Sequence, residues 1–437
     1  MHEKTPCKGE KNLQASHMYL CIDLKSFYAS VECVERGLDP MTARLVVADP
    51  DRSEKTICLA VSPAMKALGV KNRCRVFQIP KTIDYIMAPP RMQKYIDYAA
   101  EIYGVYLRYI SPDDIHVYSI DEAFLDVTPY LQRYQKTPRE MAVMLMEEVY
   151  EKVGVRAACG IGTNLYLAKI ALDITAKHAK DFIGELDEIT YRQTLWNHRP
   201  LTDFWRVGEG TARRLSSRGI YTMEQIAHGD EESLYRLFGI DAELLIDHAW
   251  GRESATIRDI QAFSPQSSSL TSGQVLMRDY TKREGRTIVR EMADAMCLDM
   301  VDQKLATGSI TLVVGYSKED GGEPAKGTVS FGRDTNADGI VLPLVTDLYE
   351  RIVDDKKMIR RMYVNCNNVK PEGGNIQLSL FDADVHQDAK KDHQRQEAVL
   401  GIHKRYGKNA LIKGIDLLAE ATARERNHQI GGHKSGE

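Results

Sequence analysis

The run Ile115-His116-Val117-Tyr118-Ser119-Ile120 ends in two adjacent carboxylates, Asp121 and Glu122. Side chains alternate along a strand, so neighbouring acids normally diverge. Both can serve one place only where the chain bends, as at a hairpin tip. Residues 123–127 are apolar again and supply the return strand. A second apolar run, Met18-Tyr19-Leu20-Cys21-Ile22, ends in another acid, Asp23. A lone Asp-Glu pair reads as a charged turn. With Asp23 added, three carboxylates stand at the ends of apolar strands. Such a trio would hold two divalent cations, and a cation pair suits phosphoryl transfer because it stabilises both the attacking and the leaving oxygen.

The elements around these acids set an order. Strands are expected at 18–22, 44–48, 56–61, 114–120, 123–127 and 156–161, and helices at 28–36, 91–109, 138–153 and 164–179. The helix at 138 has a full start signal: Thr137 as N-cap, Pro138 at the first position and Glu140 closing a capping box. Strand, helix, hairpin, helix, strand is the order of a ferredoxin-like α+β fold. Residues 184–258 read as short helices with Trp196, Trp205 and Trp250 in their core. A Ser-rich linker follows at about 259–267. Residues 268–370 repeat the ferredoxin-like order, and Pro371-Glu372-Gly373-Gly374 then breaks structure before a tail with a charged helix near 386–405.

Composition narrows the class. With 437 residues the chain has room for several domains, and no apolar run approaches the ~20 residues of a membrane span. Residues 1–17 are polar and read as a loose leader without a signal peptide's apolar centre. The eight cysteines are scattered without Cys-x-x-Cys spacing, so they read as reduced thiols, and the expected location is cytoplasmic. A net charge of −4 means that any nucleic-acid contact must come from locally placed groups.

Asp23-Leu24-Lys25-Ser26-Phe27-Tyr28-Ala29-Ser30-Val31-Glu32 and Ser119-Ile120-Asp121-Glu122-Ala123-Phe124-Leu125-Asp126 together resemble the two catalytic motifs of Y-family translesion DNA polymerases, closest to the UmuC-like branch of Gram-positive type. The resemblance implies a right-hand polymerase. Its palm would be 18–26 with 92–183, small fingers 27–91, a helical thumb 184–258, a second ferredoxin-like little finger 268–370, and a tail 371–437. It implies that Asp23, Asp121 and Glu122, helped by the Leu24 carbonyl, ligate two Mg²⁺ ions. Phe27-Tyr28 matches the family's aromatic pair. Tyr28 would lie under the sugar of the incoming dNTP as a steric gate, whereas Phe27 also reads as helix-start core.

Phosphates need cationic partners. Ser62-Pro63-Ala64-Met65-Lys66 resembles the family's finger helix, where many members carry Tyr and Arg and this chain has Pro63 and Lys66. Lysine offers a point charge without arginine's fork. Lys177 resembles a second phosphate-binding lysine. Val207-Gly208-Glu209-Gly210-Thr211 reads as a helix–hairpin–helix turn that could bring backbone N–H groups to a DNA phosphate.

In 268–370 basic and acidic residues balance, fifteen of each, so alternation carries the reading. Arg361, Tyr363 and Asn365 share one strand face, and Thr328 and Ser330 share the corresponding face of another. A polar, lightly charged sheet face suits contacts that fix register on a phosphate backbone, and the resemblance implies DNA there. Lys282, Arg286 and Arg290 form a stripe on a helix behind the sheet and read as a solvated face. Gln377-Leu378-Ser379-Leu380-Phe381 closely matches the bacterial sliding-clamp pentapeptide, with Gln377, Leu378, Leu380 and Phe381 as contacts. The last residues resemble tails of some Gram-positive relatives.

The expected activity is low-fidelity, template-directed DNA synthesis past lesions, as in DNA-damage (SOS) repair. The expected partners are primed template DNA, dNTPs and the sliding clamp, with a monomeric chain at the nucleoid and no membrane. Two other readings stand beside it: a nucleotidyl cyclase on the same kind of palm, and a non-catalytic clamp-binding adaptor.

Overall fold

The computed structural model describes residues 17–265, 268–373 and 383–436, without the side chains of 383–390. The leader 1–16 and the pentapeptide Gln377–Phe381 lie outside the described residues. The chain divides into two compact units at Phe263/Ser264.

The first unit begins with β1 (Tyr19–Leu24) and α1 (Phe27–Val34). A small sheet follows, made of β2 (Leu45–Val47), β3 (Ala60–Val61) and β4 (Ile86–Ala88) in the order β3-β2-β4, with α2 (Pro63–Ala67) between the last two. The strand expected at 56–61 is therefore mostly irregular. Only Ala60–Val61 pairs with β2, while Ile57 makes a separate bridge to Arg75. This sheet has its own core of Val46, Cys58, Val61, Met65, Val70 and Ile79.

Then come α3 (Met92–Leu107), the hairpin β5 (Ile115–Val117) and β6 (Glu122–Asp126), α4 (Thr128–Tyr134), α5 (Pro138–Val153), β7 (Ala157–Gly162), α6 (Leu165–Ile170) and β8 (Ile183–Leu186). Their sheet runs β5-β6-β1-β7-β8, and its first four strands are mutually antiparallel, which is the ferredoxin-like arrangement. β1 lies at the centre and is covered on both faces, so it reads as a continuous apolar run: Leu20, Cys21 and Ile22 are all buried. Each such side chain contributes about 2 kcal/mol of burial. The capping box at Thr137 and Glu140 forms as expected. The helix expected over 164–179 changes pitch: after α6 it widens into a π turn (Ala171–Thr175) and tightens into a 3₁₀ turn (Ala176–His178).

Close backbone approach sets where α6 lies. A Cβ on Gly160 would fall 2.0 Å from the Ala168 carbonyl oxygen, and one on Gly162 would fall 2.1 Å from the Ala168 nitrogen. These two positions must be glycine for α6 to rest flat on β7.

Helices α7 (Glu188–Thr194), α8 (Glu209–Ser216), α9 (Met223–Ala227), α10 (Glu231–Phe238) and α11 (Asp241–Trp250) form the expected helical region. Its tryptophans differ from expectation. Trp196 and Trp205 are only partly buried against a core led by Tyr191, Phe204, Leu215 and Leu234. The indole N–H explains this for Trp196, which donates to the Ala249 carbonyl at 2.8 Å and so sits where one edge is polar. The linker also starts later than expected. Thr256 and Asp259 make a capping box that starts α12 (Ile257–Ala262), so 259–262 are helical.

The second unit contains β9 (Leu270–Tyr280), α13 (Lys282–Asp302), β10 (Leu305–Tyr316), β11 (Ala325–Thr335), α14 (Asp338–Ile352) and β12 (Ile359–Asn367), with sheet order β11-β10-β12-β9. Both helices pack on one face, over Ile310, Leu312, Val314, Met362, Val364 and Cys366. Lys282 and Arg286 are not merely solvated, because Glu350 of α14 pairs with both. The tail folds back on these helices. Its helix α15 (Ala383–Tyr406) is followed by a segment in which Lys413 reaches Asp294 and the buried Asp338, and Thr422 N–H donates to Glu291 at 3.0 Å.

Candidate active site

The backbone brings Asp23 and Glu122 together. They are direct cross-strand partners at the shared end of β1 and β6. Asp121 lies in the turn just before β6, and its carbonyl accepts the Leu24 N–H at 2.9 Å. The hairpin bend thus presents both consecutive acids beside Asp23, as the sequence required. Leu24 itself is buried.

Charge accumulates at these tips. The Asp23 carboxyl is pushed up to about 7, first by burial and then by the neighbouring Asp121 and Glu122. A buried set of like charges needs countercharge. Part of it comes from within the chain. Lys169 on α6 donates to Glu122 Oε2 at 2.8 Å and to Asp173 Oδ1 at 3.1 Å. Both Lys169 and Glu122 are about nine-tenths buried. Burial opposes the Lys169 ammonium, yet Cys21, Glu122 and Asp173 hold its pKa above the ordinary lysine range. Cys21 Sγ donates to the other Glu122 oxygen at 3.2 Å. Ser119 Oγ donates to Asp121 Oδ1 at 2.6 Å.

These bonds answer whether the acids suit metal ions. The donors are carboxylate oxygens, the chemistry hard divalent cations prefer, and their mutual repulsion favours cation binding. Asp121 and Glu122, however, are engaged by the protein. Among the described residues no group of three or more His, Cys, Asp or Glu side chains stands arranged around a common point. A cation reaching Glu122 would compete with Lys169.

Tyr28 and Phe27 separate as their sequence position suggested. Phe27 is 2% exposed and belongs to the core. Tyr28 is half-buried and stacks on Tyr95, with ring centres 4.4 Å apart and planes 14° apart. Tyr95 is fixed in turn by its hydroxyl, which donates to buried Glu32 at 2.8 Å, and Arg91 grips the same carboxylate. Burial raises the Tyr28 phenol pKa, and Asp121 adds to it.

Lys66 lies on α2 and Lys177 in the 3₁₀ turn Ala176–His178. Surrounding protein lowers the Lys66 pKa, Lys177 adds repulsion, and Asp23 and Asp121 counter it. Sequence reasoning passed over Lys169 and Lys25. Lys25 is visible in the first motif, one residue past Leu24, but only the fold shows what surrounds it. Lys169 carried no local signal, because its partner Glu122 is 47 residues away.

Gly208 is the N-cap of α8, and neither it nor Gly210 has a positive φ. Space outside both is open, so a phosphate could approach the N–H groups there. In the second unit Thr328, Ser330, Arg361 and Tyr363 are exposed while Met362, Val364 and Cys366 are buried. Thr311 lies between Thr328 and Asn365 in the sheet register, with its hydroxyl 2.8 Å from that of Thr328. All five expected residues therefore share the face opposite the helices.

The chain is similar to known proteins over most of its length. Residues 22–173 match the model of the impB/mucB/samB family, and residues 267–380 match that of the impB/mucB/samB family C-terminal domain. UvrX of Bacillus subtilis (strain 168), named for UV-damage repair, is 31% identical over 421 residues, covering 95% of this chain and 97% of the relative. A DNA polymerase IV 2 of Halalkalibacterium halodurans is 28% identical, covering 94% of this chain and 98% of its own. Among solved structures, a Y-family DNA polymerase chimera of Dbh and Dpo4 superposes with a TM-score of 0.64 at 20% identity, covering 81% of this chain and 100% of the chimera. The chain belongs to the impB/mucB/samB family, the Y-family of DNA polymerases, in its Gram-positive type.

Proposed function

We propose that Asp23, Asp121 and Glu122 carry template-directed DNA synthesis in this chain, with two Mg²⁺ ions bound between them. The chain is a DNA-directed DNA polymerase of the translesion type, which sets aside the cyclase and adaptor alternatives. Its reaction depends on divalent metal. The observation that carries the site assignment is the cross-strand pair Asp23–Glu122, with Asp121 in the turn just before β6 and its carbonyl bonded to the Leu24 N–H.

When bound, the metal ions would lower the pKa of the primer 3′-hydroxyl and stabilise the leaving pyrophosphate. The chain's own residues do the rest. The carboxylates fix where the cations sit. Tyr28, held against Tyr95, occludes the space a ribose 2′-hydroxyl would need. Lys66 and Lys177 offer positive charge to the triphosphate. The segment 27–91 serves as fingers, 18–26 with 92–183 as palm, 184–258 as thumb and 268–370 as little finger. The fingers' small sheet has few groups to close over a nascent pair, which supports low fidelity and tolerance of damaged templates.

In the same reading, the turn at Gly208 and Gly210 and the face carrying Thr328, Ser330, Arg361, Tyr363 and Asn365 contact the DNA backbone. Gln377, Leu378, Leu380 and Phe381 engage the sliding clamp, and the chain acts as a cytoplasmic, nucleoid-associated monomer. Among the described residues no helix is long and apolar enough to cross a membrane. Primer extension on templates with and without an abasic site tests the whole reading. Synthesis past the lesion is expected; extension confined to undamaged template would refute the lesion-bypass role.

A further inference from the structure

Two cysteines face each other beside the first unit's small sheet. Ile57 and Arg75 form an antiparallel bridge. It is flanked by two hydrogen bonds: the Cys58 N–H donates to the Cys74 carbonyl at 2.8 Å, and the Val76 N–H donates to the Thr56 carbonyl at 3.1 Å. In that antiparallel register Cys58 stands directly across from Cys74. Opposed residues project to the same face, with Cα atoms about 5.5 Å apart where they share a ladder hydrogen bond. A disulfide needs a Cα separation of about 4.4–6.8 Å. Burial confirms which face the pair shares. Ile57 and Arg75 are exposed on one side. On the other, Cys58 belongs to the core with Val46, Val61 and Met65, and Cys74 packs against that same core.

Exposure decides which thiol meets solvent. Among the described residues, Cys21, Cys33, Cys58, Cys159, Cys297 and Cys366 are buried, and Cys74 alone is partly exposed. Burial pushes the Cys58 thiol up to about 12, with Cys74 adding to it, so Cys58 stays protonated at neutral pH. An accessible cysteine with a second one beside it is the arrangement in which a sulfenic acid is captured as a disulfide.

We infer that Cys58 and Cys74 form a reversible oxidation site, whose oxidant is a peroxide. Cys74 sulfur attacks the peroxide, an S–O bond forms as the O–O bond breaks, and water leaves when the oxidant is hydrogen peroxide. Cys58 sulfur then attacks the Cys74 sulfenic acid. The S–S bond forms, the S–O bond breaks, and the departing hydroxide leaves as water with the Cys58 proton. Two thiols lose two electrons in total, and the peroxide is reduced to two waters. A dithiol reductant reverses the step by thiol–disulfide exchange. The bond ties the two ends of a segment that contains β3 and α2, Lys66 included, and so restricts that segment's freedom. The inference stands apart from the polymerase reading.

The test is thiol mapping of the full chain carrying Cys7→Ser, which removes the leader thiol. The protein is treated with dilute hydrogen peroxide, alkylated, digested without reductant and read by mass spectrometry. The expected product is a peptide pair joined through Cys58 and Cys74, two hydrogens lighter than the separate thiol peptides and lost on adding dithiothreitol. In Cys58→Ser the Cys74 sulfenic acid should persist and be trapped by dimedone. Cys74 recovered as an alkylated thiol after peroxide overturns the inference. Cys74 driven to sulfinic acid while Cys58 remains a thiol overturns it too, because the second cysteine then fails to capture the first. The mapping of the chain with both cysteines in place is decisive by itself, so a Cys58 variant that fails to fold does not affect the outcome.

Discussion

Lys169 Nζ stands 2.8 Å from Glu122 Oε2, so one of the three strand-end carboxylates is already neutralised from within the chain. Both groups are almost wholly buried, and the lysine reaches across from a helix on the sheet's flank. The pair keeps a crowded acidic site folded without metal and sets a competition that a cation must win.

Lys169→Met should therefore destabilise the fold by about 3 kcal/mol, because it leaves Glu122 buried without its partner. Added Mg²⁺ should raise the thermal midpoint of the variant more than that of the wild type, since the cation supplies the missing charge. Thermal melts with and without millimolar Mg²⁺ check this. Equal Mg²⁺ responses in the two proteins would show that Lys169 and metal do not share Glu122.

Asp23→Ala, Asp121→Ala and Glu122→Ala should each abolish primer extension while primer-template binding stays largely intact. Extension assays paired with fluorescence anisotropy on labelled DNA measure both. Extension within tenfold of wild type by the Asp23 or Asp121 variant would sink the site assignment.

Tyr28→Ala removes the ring that rests on Tyr95. Steric discrimination on this scale is worth about 1–3 kcal/mol, so preference for dNTP over rNTP should fall roughly 10–200-fold. Competitive incorporation of matched dNTP and rNTP gives the ratio directly. An unchanged ratio moves the gate elsewhere.

Glu284 caps α13 through Thr281 and pairs with Arg278. The Arg278 hydrogen bond and then the Thr281 N–H lower its pKa from 4.5 to about 2. An acid depressed in the folded state contributes stability above its unfolded pKa and loses it as pH falls through the folded value. The contribution is thus full above about pH 4.5 and gone near pH 2. Glu284→Gln should cost about 1 kcal/mol at pH 7, a cap and a solvent-screened ion pair combined, and the difference should shrink steadily below pH 4. Denaturant melts across pH would show a constant difference if the carboxylate charge is idle.

Leu380→Ala with Phe381→Ala should weaken clamp binding at least about thirtyfold, because a few apolar anchors dominate such peptide interfaces. Extension without clamp should not change. Surviving clamp stimulation would place the main contact elsewhere.

Much of this molecule is written in short stretches. Thr137 and Glu140 mark a helix start because a capping box needs only residues three apart. The alternation over 361–367 announces which strand face is buried because the pleat has period two. Asp121 and Glu122 were legible for the same reason: consecutive acids on a strand can cooperate only at a bend, and the bend is there. The tryptophans and the start of the linker were misjudged because apolar size and serine content do not report the Ala249 carbonyl that Trp196 seeks or the cap that begins α12.

What the chain alone could not disclose depends on distant segments meeting. Lys169 reaches Glu122 only because Gly160 and Gly162 let α6 lie directly on β7, an approach closed to any residue with a Cβ. Local propensity and periodicity name the acids and orient their strands, since those depend on neighbours along the chain. Which cations face the acids is decided by backbone packing across the sheet, where sequence separation carries no information about distance.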